Sequence, residues 1–161
     1  MSEIIAFCKN GCPHSNETKW LLTLLVSTGN STKGNSTKGN SKKGNSTKII
    51  PIESDYMNVK TINGKEYNKS KTDFFQSVAK DYDIDLKTHK SFPVNIFKSE
   101  NHTYFIGGND KLQEIYKRAQ ETPNIKISNP GYICIENFKD LENQGHRRLY
   151  CHFLKLLNKI N

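Results

Sequence analysis

The segment Cys12-Pro13-His14-Ser15 places a cysteine where the sequence predicts that a helix begins. The residues before it, EIIAFC from Glu3 to Cys8, are apolar and partly β-branched, which predicts a strand. Pro13 is acceptable at the first position of a helix. The first N–H groups of a helix have no partners within it, and the helix dipole is positive there. Together with the charge of Lys9, this setting favours a Cys12 thiolate, which attacks disulfides.

The elements that must position this cysteine follow the order β-α-β-α-β-β-α. The first helix runs from Pro13 to Val26, and its predicted apolar stripe consists of Trp20, Leu21, Leu24 and Leu25. The further elements are a strand at 49–52 buried on both faces, a helix over 74–82 with a capping signal at 70–73, strands at 94–97 and 103–106, and a helix that begins at Asn109 or Asp110. A parallel βαβ unit followed by a hairpin and a helix predicts an α/β fold of the thioredoxin-like arrangement.

Three segments resemble the glutaredoxin family and occur in the family's order. Lys9-x-x-Cys12-Pro13-His14-Ser15 is similar to the family's Lys-x-x-Cys-Pro-Tyr-Cys or Cys-Pro-Tyr-Ser motif. Ser91-Phe92-Pro93 resembles the Thr-Val-Pro loop, whose proline is cis and faces the active cysteine. The segment FIGGNDKL, residues 105–112, resembles the Gly-Gly-x-Asp segment. The resemblance covers residues 3 to about 120, apart from a repeat at 29–48.

The resemblance implies a glutathione-dependent thiol–disulfide oxidoreductase in which Cys12 is the nucleophile. Cys12 would attack a glutathione mixed disulfide and become glutathionylated, and a second glutathione would release it. Glutathione is then the cosubstrate, and glutathionylated proteins are the partners. Lys9 and Lys90 would lie near the glycyl carboxylate of glutathione. The backbone of Phe92, before Pro93, would pair with the cysteinyl part as an added strand does.

The resemblance also implies a site for the γ-glutamyl end of glutathione at Gly108, Asn109 and Asp110. Asp110 would bind the ammonium group, and the N–H groups at the start of the helix would bind the carboxylate.

Several positions differ from the family's patterns. Ser15 stands where dithiol members have a resolving cysteine, so we expect a monothiol route that reduces mixed disulfides with glutathione. His14 replaces tyrosine and is expected to face solvent, although it could tune Cys12 by charge. Pro13 differs from the Cys-Gly-Phe-Ser motif of members that carry iron–sulfur clusters, so a glutathione-ligated cluster carrier is an alternative that is not favoured. Phe92 is bulkier than valine and could narrow the groove.

A redox-inert thioredoxin-like binding module is a further alternative. Cys8 could act as a substitute resolving thiol, but a buried residue of the first strand is the favoured interpretation. No metal site is predicted, because Cys134, His146, Cys151 and His152 lack the spacing of a zinc site.

The net charge of +8 comes from two segments: residues 29–48 carry +5, and residues 123–161 carry +3. Residues 29–48 repeat the unit GNSTK with minor variation and hold five lysines, no acidic residue and no apolar residue. Such a segment cannot bury surface, so we expect a disordered loop inserted into a domain spanning residues 1–122. The body of that domain is neutral, so we do not expect a nucleic-acid partner.

Residues 123–161 form a C-terminal extension that the resemblance does not cover. Residues 125–135 predict a hairpin, and residues 140–160 predict an amphipathic helix with the apolar residues Leu149, Phe153, Leu156, Leu157 and Ile160 on one face. Such a helix usually packs on its own domain. Binding of a protein partner through it is the alternative.

The composition of the chain argues against membrane-spanning, secreted and disulfide-rich classes of protein. The chain of 161 residues is 34% hydrophobic and has no apolar run of about 18 residues, so we expect no membrane span. The N-terminus lacks the pattern of a secretory signal. Four cysteines are too few for a disulfide scaffold, and a cytoplasmic location is the default expectation.

Overall fold

A computed structural model describes residues 2–32, 45–52, 59–60, 66–67, 71–124 and 143–160 of the chain. The strands are β1 (Ser2–Lys9), β2 (Asn45–Ile52), β3 (Val59–Lys60), β4 (Glu66–Tyr67), β5 (Val94–Ser99) and β6 (His102–Gly107). The helices are α1 (Pro13–Thr32), α2 (Lys71–Tyr82), α3 (Asn109–Glu121) and α4 (Gln144–Leu156). The prediction of an α/β fold is confirmed. The short strands β3 and β4 were not predicted.

The main sheet has four strands in the order β2-β1-β5-β6. β1 pairs in parallel with β2 and antiparallel with β5, and β5 pairs antiparallel with β6. The chain passes from β1 to its parallel neighbour β2 by way of α1. A tight turn at Glu100 and Asn101 joins β5 to β6, with Glu100 at a φ of 55°. The sheet is therefore mixed, and β1, which leads to Cys12, has a strand on each side.

β1 is buried on both faces because its alternating side chains enter two different apolar clusters. Ile4, Ala6 and Cys8 contact the cluster formed with α1, α3 and α4. Ile5 and Phe7 contact the cluster formed with α2 and the loop before β5. The last residue of β1, Lys9, is thus fixed relative to both layers of helices.

Two elements are longer than predicted and include the ends of the repeat. α1 continues past Val26 to Thr32, since each added residue extends the ladder of helical hydrogen bonds. β2 begins at Asn45 because its backbone pairs with β1 from Ser2 onwards, and Lys48 forms an ion pair with Glu3 at 3.1 Å. The rest of the repeat, residues 33–44, lies outside the described residues, as do Ser70 and the predicted hairpin at 125–135.

The prediction that the second strand is buried on both faces is not met at Ile49, which is half-buried. Among the strands that the structure describes, β2 lies at the end of the order, so none of them pairs with its outer edge. An edge position also accommodates Pro51, which lacks an N–H for pairing.

The predicted apolar stripe of α1 is wrong for two of its four residues. Leu21 and Leu25 are buried, together with Leu22, but Trp20 is 70% exposed and Leu24 is 40% exposed. At about 100° per residue, Trp20 lies about 140° around the helix axis from Leu25. The part of the helix that faces the core is therefore centred away from the tryptophan.

α4 packs on the domain, as expected for an amphipathic helix. Leu149, Tyr150, Phe153 and Leu154 are all buried in the cluster that contains α1 and α3. Gly145 lies against Tyr104 of β6, and a Cβ on that glycine would lie 2.5 Å from the Tyr104 Cβ. The apolar face of α4 therefore belongs to the core of this domain. None of the helices in the described ranges is long and apolar enough to cross a membrane.

His152 of α4 is buried between aromatic rings. Its ring centroid lies 5.2 Å from that of Phe97 and 6.2 Å from that of Phe153. Burial disfavours the charged imidazolium and lowers the pKa of His152 to about 4, and Lys155 acts in the same direction. The folded chain thus holds this histidine neutral.

We predict that His152 makes the protein less stable in acid. An unfolded histidine has a pKa of about 6.5, so between that pH and about 4 the unfolded state binds the extra proton. The stability that His152 contributes is complete above about pH 6.5 and is lost as the pH falls towards 4, by up to about 3 kcal/mol. Urea titrations of His152→Leu should show a weaker pH dependence than the wild type, whereas the exposed-site control His102→Leu should not. An equal pH dependence in the wild type and His152→Leu would contradict this.

Candidate active site

Cys12 is the residue directly before α1, at the end of a tight turn that follows β1. The N–H of Cys12 donates to the Lys9 carbonyl at 3.2 Å, and the Cys12 carbonyl accepts from the Asn16 N–H at 2.9 Å. Gly11 has a φ of +80°, a conformation that glycine adopts readily. The turn therefore joins the buried strand to the helix with the sulfur at the N-terminal end of the helix, as the sequence predicts.

The environment of the Cys12 thiol favours its ionised form. Desolvation by partial burial raises the pKa of Cys12 and is the largest single influence. Hydrogen bonds from the Ser15 N–H, the Ser15 hydroxyl and the His14 N–H lower it, as does the Lys9 ammonium group. The net result is that the pKa of Cys12 lies below the ordinary value for a thiol. The sulfur remains partly accessible to solvent, which a nucleophile needs.

Ser15 is fully buried beneath the turn. Its Oγ accepts a hydrogen bond from the Lys9 N–H at 3.0 Å, and its hydroxyl donates to the Cys12 sulfur. The residue at the place of a resolving cysteine thus holds the turn together and stabilises the thiolate. His14 is exposed, as expected.

The loop before β5 brings the backbone of Phe92 to the thiol. The Cys12 Sγ lies 4.0 Å from the Phe92 carbonyl oxygen. The Phe92–Pro93 peptide bond is cis, which confirms the expectation drawn from the family resemblance. The Phe92 ring is buried, with centroids 5.4 Å from Phe74 and 5.2 Å from Phe75. Packing of the ring into the core thus anchors the loop whose carbonyl faces the sulfur.

A cavity of about 420 Å³ opens at the sulfur. Its lining residues are Lys9, Asn10, Gly11, Cys12, His14, Ser91 and Phe92. It therefore brings together Lys9, Cys12 and His14 of the first predicted motif with Ser91 and Phe92 of the second. Lys90 is exposed and lines a neighbouring cleft with Leu86 and His89 instead.

The third predicted segment borders the Pro93 loop. Gly108 precedes α3, and a Cβ added to it would lie 3.4 Å from the His89 Cε1 atom and 3.8 Å from the Pro93 carbonyl oxygen. Gly107 has a φ of +132°, a backbone conformation that other residues rarely adopt. Asp110 is exposed in the first turn of α3. A Cβ at position 108 would therefore contact the His89 ring and the Pro93 carbonyl at ordinary van der Waals distances, so Gly108 packs closely against the loop.

Asn109 differs from its neighbours because its side chain is buried between two helices. Its Oδ1 accepts from the Thr18 hydroxyl at 2.9 Å, and its Nδ2 donates to the Glu17 Oε1 at 2.8 Å. Gln113 Nε2 also donates to Asn109 Oδ1, at 3.1 Å. The resemblance implies contact with a ligand here, whereas the structure uses the side chain to connect α3 to α1. Nothing in the spacing of these residues pointed to that connection.

His89 is a site residue that the sequence did not single out. Its Nε2 lies 3.2 Å from the Pro93 carbonyl oxygen, and its ring centroid lies 4.9 Å from that of Phe105. The ring therefore supports the proline loop at its junction with Gly108.

Neither of the two other cysteines among the described residues offers an accessible thiol. Cys8 is fully buried, and desolvation raises its pKa to about 12, so the prediction of a buried strand residue is confirmed. Cys151 forms a disulfide bond, a pairing that the sequence did not predict. A disulfide sulfur is not available as a thiolate ligand for a metal.

Comparisons with family models, with curated proteins and with solved structures give no match to this chain.

We predict that Ser15→Ala raises the pKa of Cys12, because one hydrogen bond to the thiolate is lost. Titration of the ultraviolet thiolate absorbance should move to higher pH, and alkylation by iodoacetamide at neutral pH should slow. Ser91→Ala, a serine that lines the same cavity, is the matched control and should leave both unchanged. Equal titration curves for Ser15→Ala and the wild type would contradict the role assigned to the hydroxyl. Cys12→Ser identifies the Cys12 signal.

Proposed function

We propose that this protein is a glutathione-dependent thiol–disulfide oxidoreductase of thioredoxin-like fold that works with a single active thiol. The observation that carries the proposal is the position of Cys12. Its accessible thiol, with a lowered pKa, lies at the start of α1 and 4.0 Å from the Phe92 carbonyl that precedes Pro93. A thiolate in an open cavity next to backbone groups suits attack on the disulfide of a bound peptide.

The reaction would proceed by two thiol–disulfide exchanges. The Cys12 thiolate attacks the glutathione sulfur of a mixed disulfide between glutathione and a protein. The new bond joins Cys12 to glutathione, while the old disulfide breaks and the protein thiolate leaves and takes a proton from solvent. A second glutathione thiolate then attacks the Cys12 adduct. It releases oxidised glutathione and restores the Cys12 thiolate, so the sulfur of the second glutathione is oxidised to disulfide level while the sulfur of the protein substrate is reduced to a thiol.

The charges around the cavity suit the glutathione anion. Lys9 lines the cavity beside Cys12, so its ammonium group can meet the glycyl carboxylate. Lys90 lines the neighbouring cleft instead, so Lys9 is the stronger candidate for that carboxylate. At the other side of Pro93, the first turn of α3 offers N–H groups and the exposed Asp110. These groups match the carboxylate and the ammonium of a γ-glutamyl end. The Asn109 side chain, which is bound to α1, would act by fixing this turn.

The single-thiol route follows from the surroundings of the other thiols. Ser15 cannot form a disulfide with Cys12, and Cys8 is buried with its pKa raised to about 12. Within the described residues, no other thiol can resolve the adduct on Cys12. Resolution would therefore fall to a second glutathione.

We predict that the purified protein reduces the mixed disulfide of glutathione and 2-mercaptoethanol in the presence of glutathione and glutathione reductase. Cys12→Ser should reduce the rate to background because it removes the nucleophile. Cys8→Ser is the matched control, and it should keep the activity if the variant folds, which circular dichroism checks. Activity that survives Cys12→Ser, or a wild type with no activity, would refute the proposed function.

A further inference from the structure

The exposed side of α1 forms a surface that the proposed chemistry does not use. Pro13, Asn16, Glu17, Trp20 and Leu24 all lie within about 60° of Trp20 around the helix axis, and all are exposed. We call these five residues the α1 strip. It starts at the residue next to Cys12 and ends at two apolar side chains.

Trp20 stands out on this strip. It is the single tryptophan of the chain, and it is 70% exposed, whereas Leu21 beside it is 2% exposed. A large aromatic side chain left in water gives up the favourable burial that most tryptophans have. Exposed aromatic residues of this kind are enriched among those that dominate binding at protein interfaces.

The apolar surface of the strip is too small for a stable dimer of this chain and suits a transient partner instead. Trp20 and the 40% exposed Leu24 together offer on the order of 250 Å² of accessible surface. A stable interface buries about 800 Å² on each partner. A substrate that must leave after every turnover needs only a small contact of this kind.

The distance between Trp20 and the Cys12 sulfur indicates that this transient partner is the polypeptide of the substrate. Trp20 lies eight positions after Cys12, which corresponds to about 12 Å along the helix. An extended peptide spans about 3.3 Å per residue. A side chain three or four residues from the modified cysteine of a substrate can therefore reach the tryptophan while the disulfide is at Cys12.

We propose that the α1 strip binds the polypeptide part of glutathionylated protein substrates and that Trp20 contacts an apolar side chain near their modified cysteine. This inference rests on the proposed function and extends it from glutathione to the choice of protein. Glutathione would occupy the cavity at Phe92, and the polypeptide would lie along α1.

The test uses two synthetic peptides that each carry glutathione on one cysteine. One peptide has leucines three and four residues from the cysteine on both sides, and the other has serines there. The wild type should show a kcat/KM about tenfold higher for the leucine peptide, an effect of the size seen for aromatic interface residues. Trp20→Ala should remove this preference by slowing the leucine peptide alone. Val26→Ala, which removes an exposed apolar side chain outside the strip, is the matched control and should retain the preference.

The remaining outcomes separate a failure of the α1 strip from a failure of the proposed function. A wild type without preference, or a Trp20→Ala variant that keeps it, would overturn the role of the strip while leaving the proposed function intact. Equal slowing of both peptides by Trp20→Ala would assign the tryptophan a structural role instead. A dimer in sedimentation that Trp20→Ala dissociates would make the strip an interface between copies of this chain. A wild type inactive on both peptides would refute the proposed function itself.

Discussion

The first N–H groups of α1 have no carbonyl partners within the helix. Two of them, the N–H groups of His14 and Ser15, donate hydrogen bonds to the sulfur of Cys12. Partial burial alone would make the thiol harder to ionise, so the result depends on these hydrogen bonds and on the Ser15 hydroxyl exceeding the desolvation cost. A displacement of the turn by a fraction of an ångström would weaken them. The arrangement of the surrounding elements is best understood as the means of holding this turn in place.

Three sets of contacts fix the N-terminal turn of α1 and the wall of the cavity opposite it. The Ser15 side chain links the helix to the end of β1 through Lys9, and β1 itself is buried on both faces. Asn109 connects the second turn of α1 to the start of α3 through Thr18 and Glu17. The Phe92 ring anchors the opposite wall of the cavity. The elements that carry the three motifs are thus tied to one framework, although they are far apart in the chain.

Local signals in the sequence predicted the parts of this site that depend on local structure. Pro13 marked the start of α1, and the apolar residues of β1 marked a strand buried before the cysteine. Contacts across the fold left no such signal. The sequence could not separate the exposed Trp20 from the buried Leu25, because four apolar residues in a helix leave the direction of the core open. Nor could it assign the Asn109 side chain to α1, since that depends on how α1 and α3 pack.

We propose that the surroundings of Cys12 make it the reactive thiol of the described residues, with Ser15 and Cys8 unable to resolve its adducts. Intact-protein and peptide mass spectrometry after treatment with oxidised glutathione tests this most directly. We expect one glutathione on Cys12 and none on Cys8. A disulfide between Cys8 and Cys12, or an unmodified Cys12, would contradict this assignment.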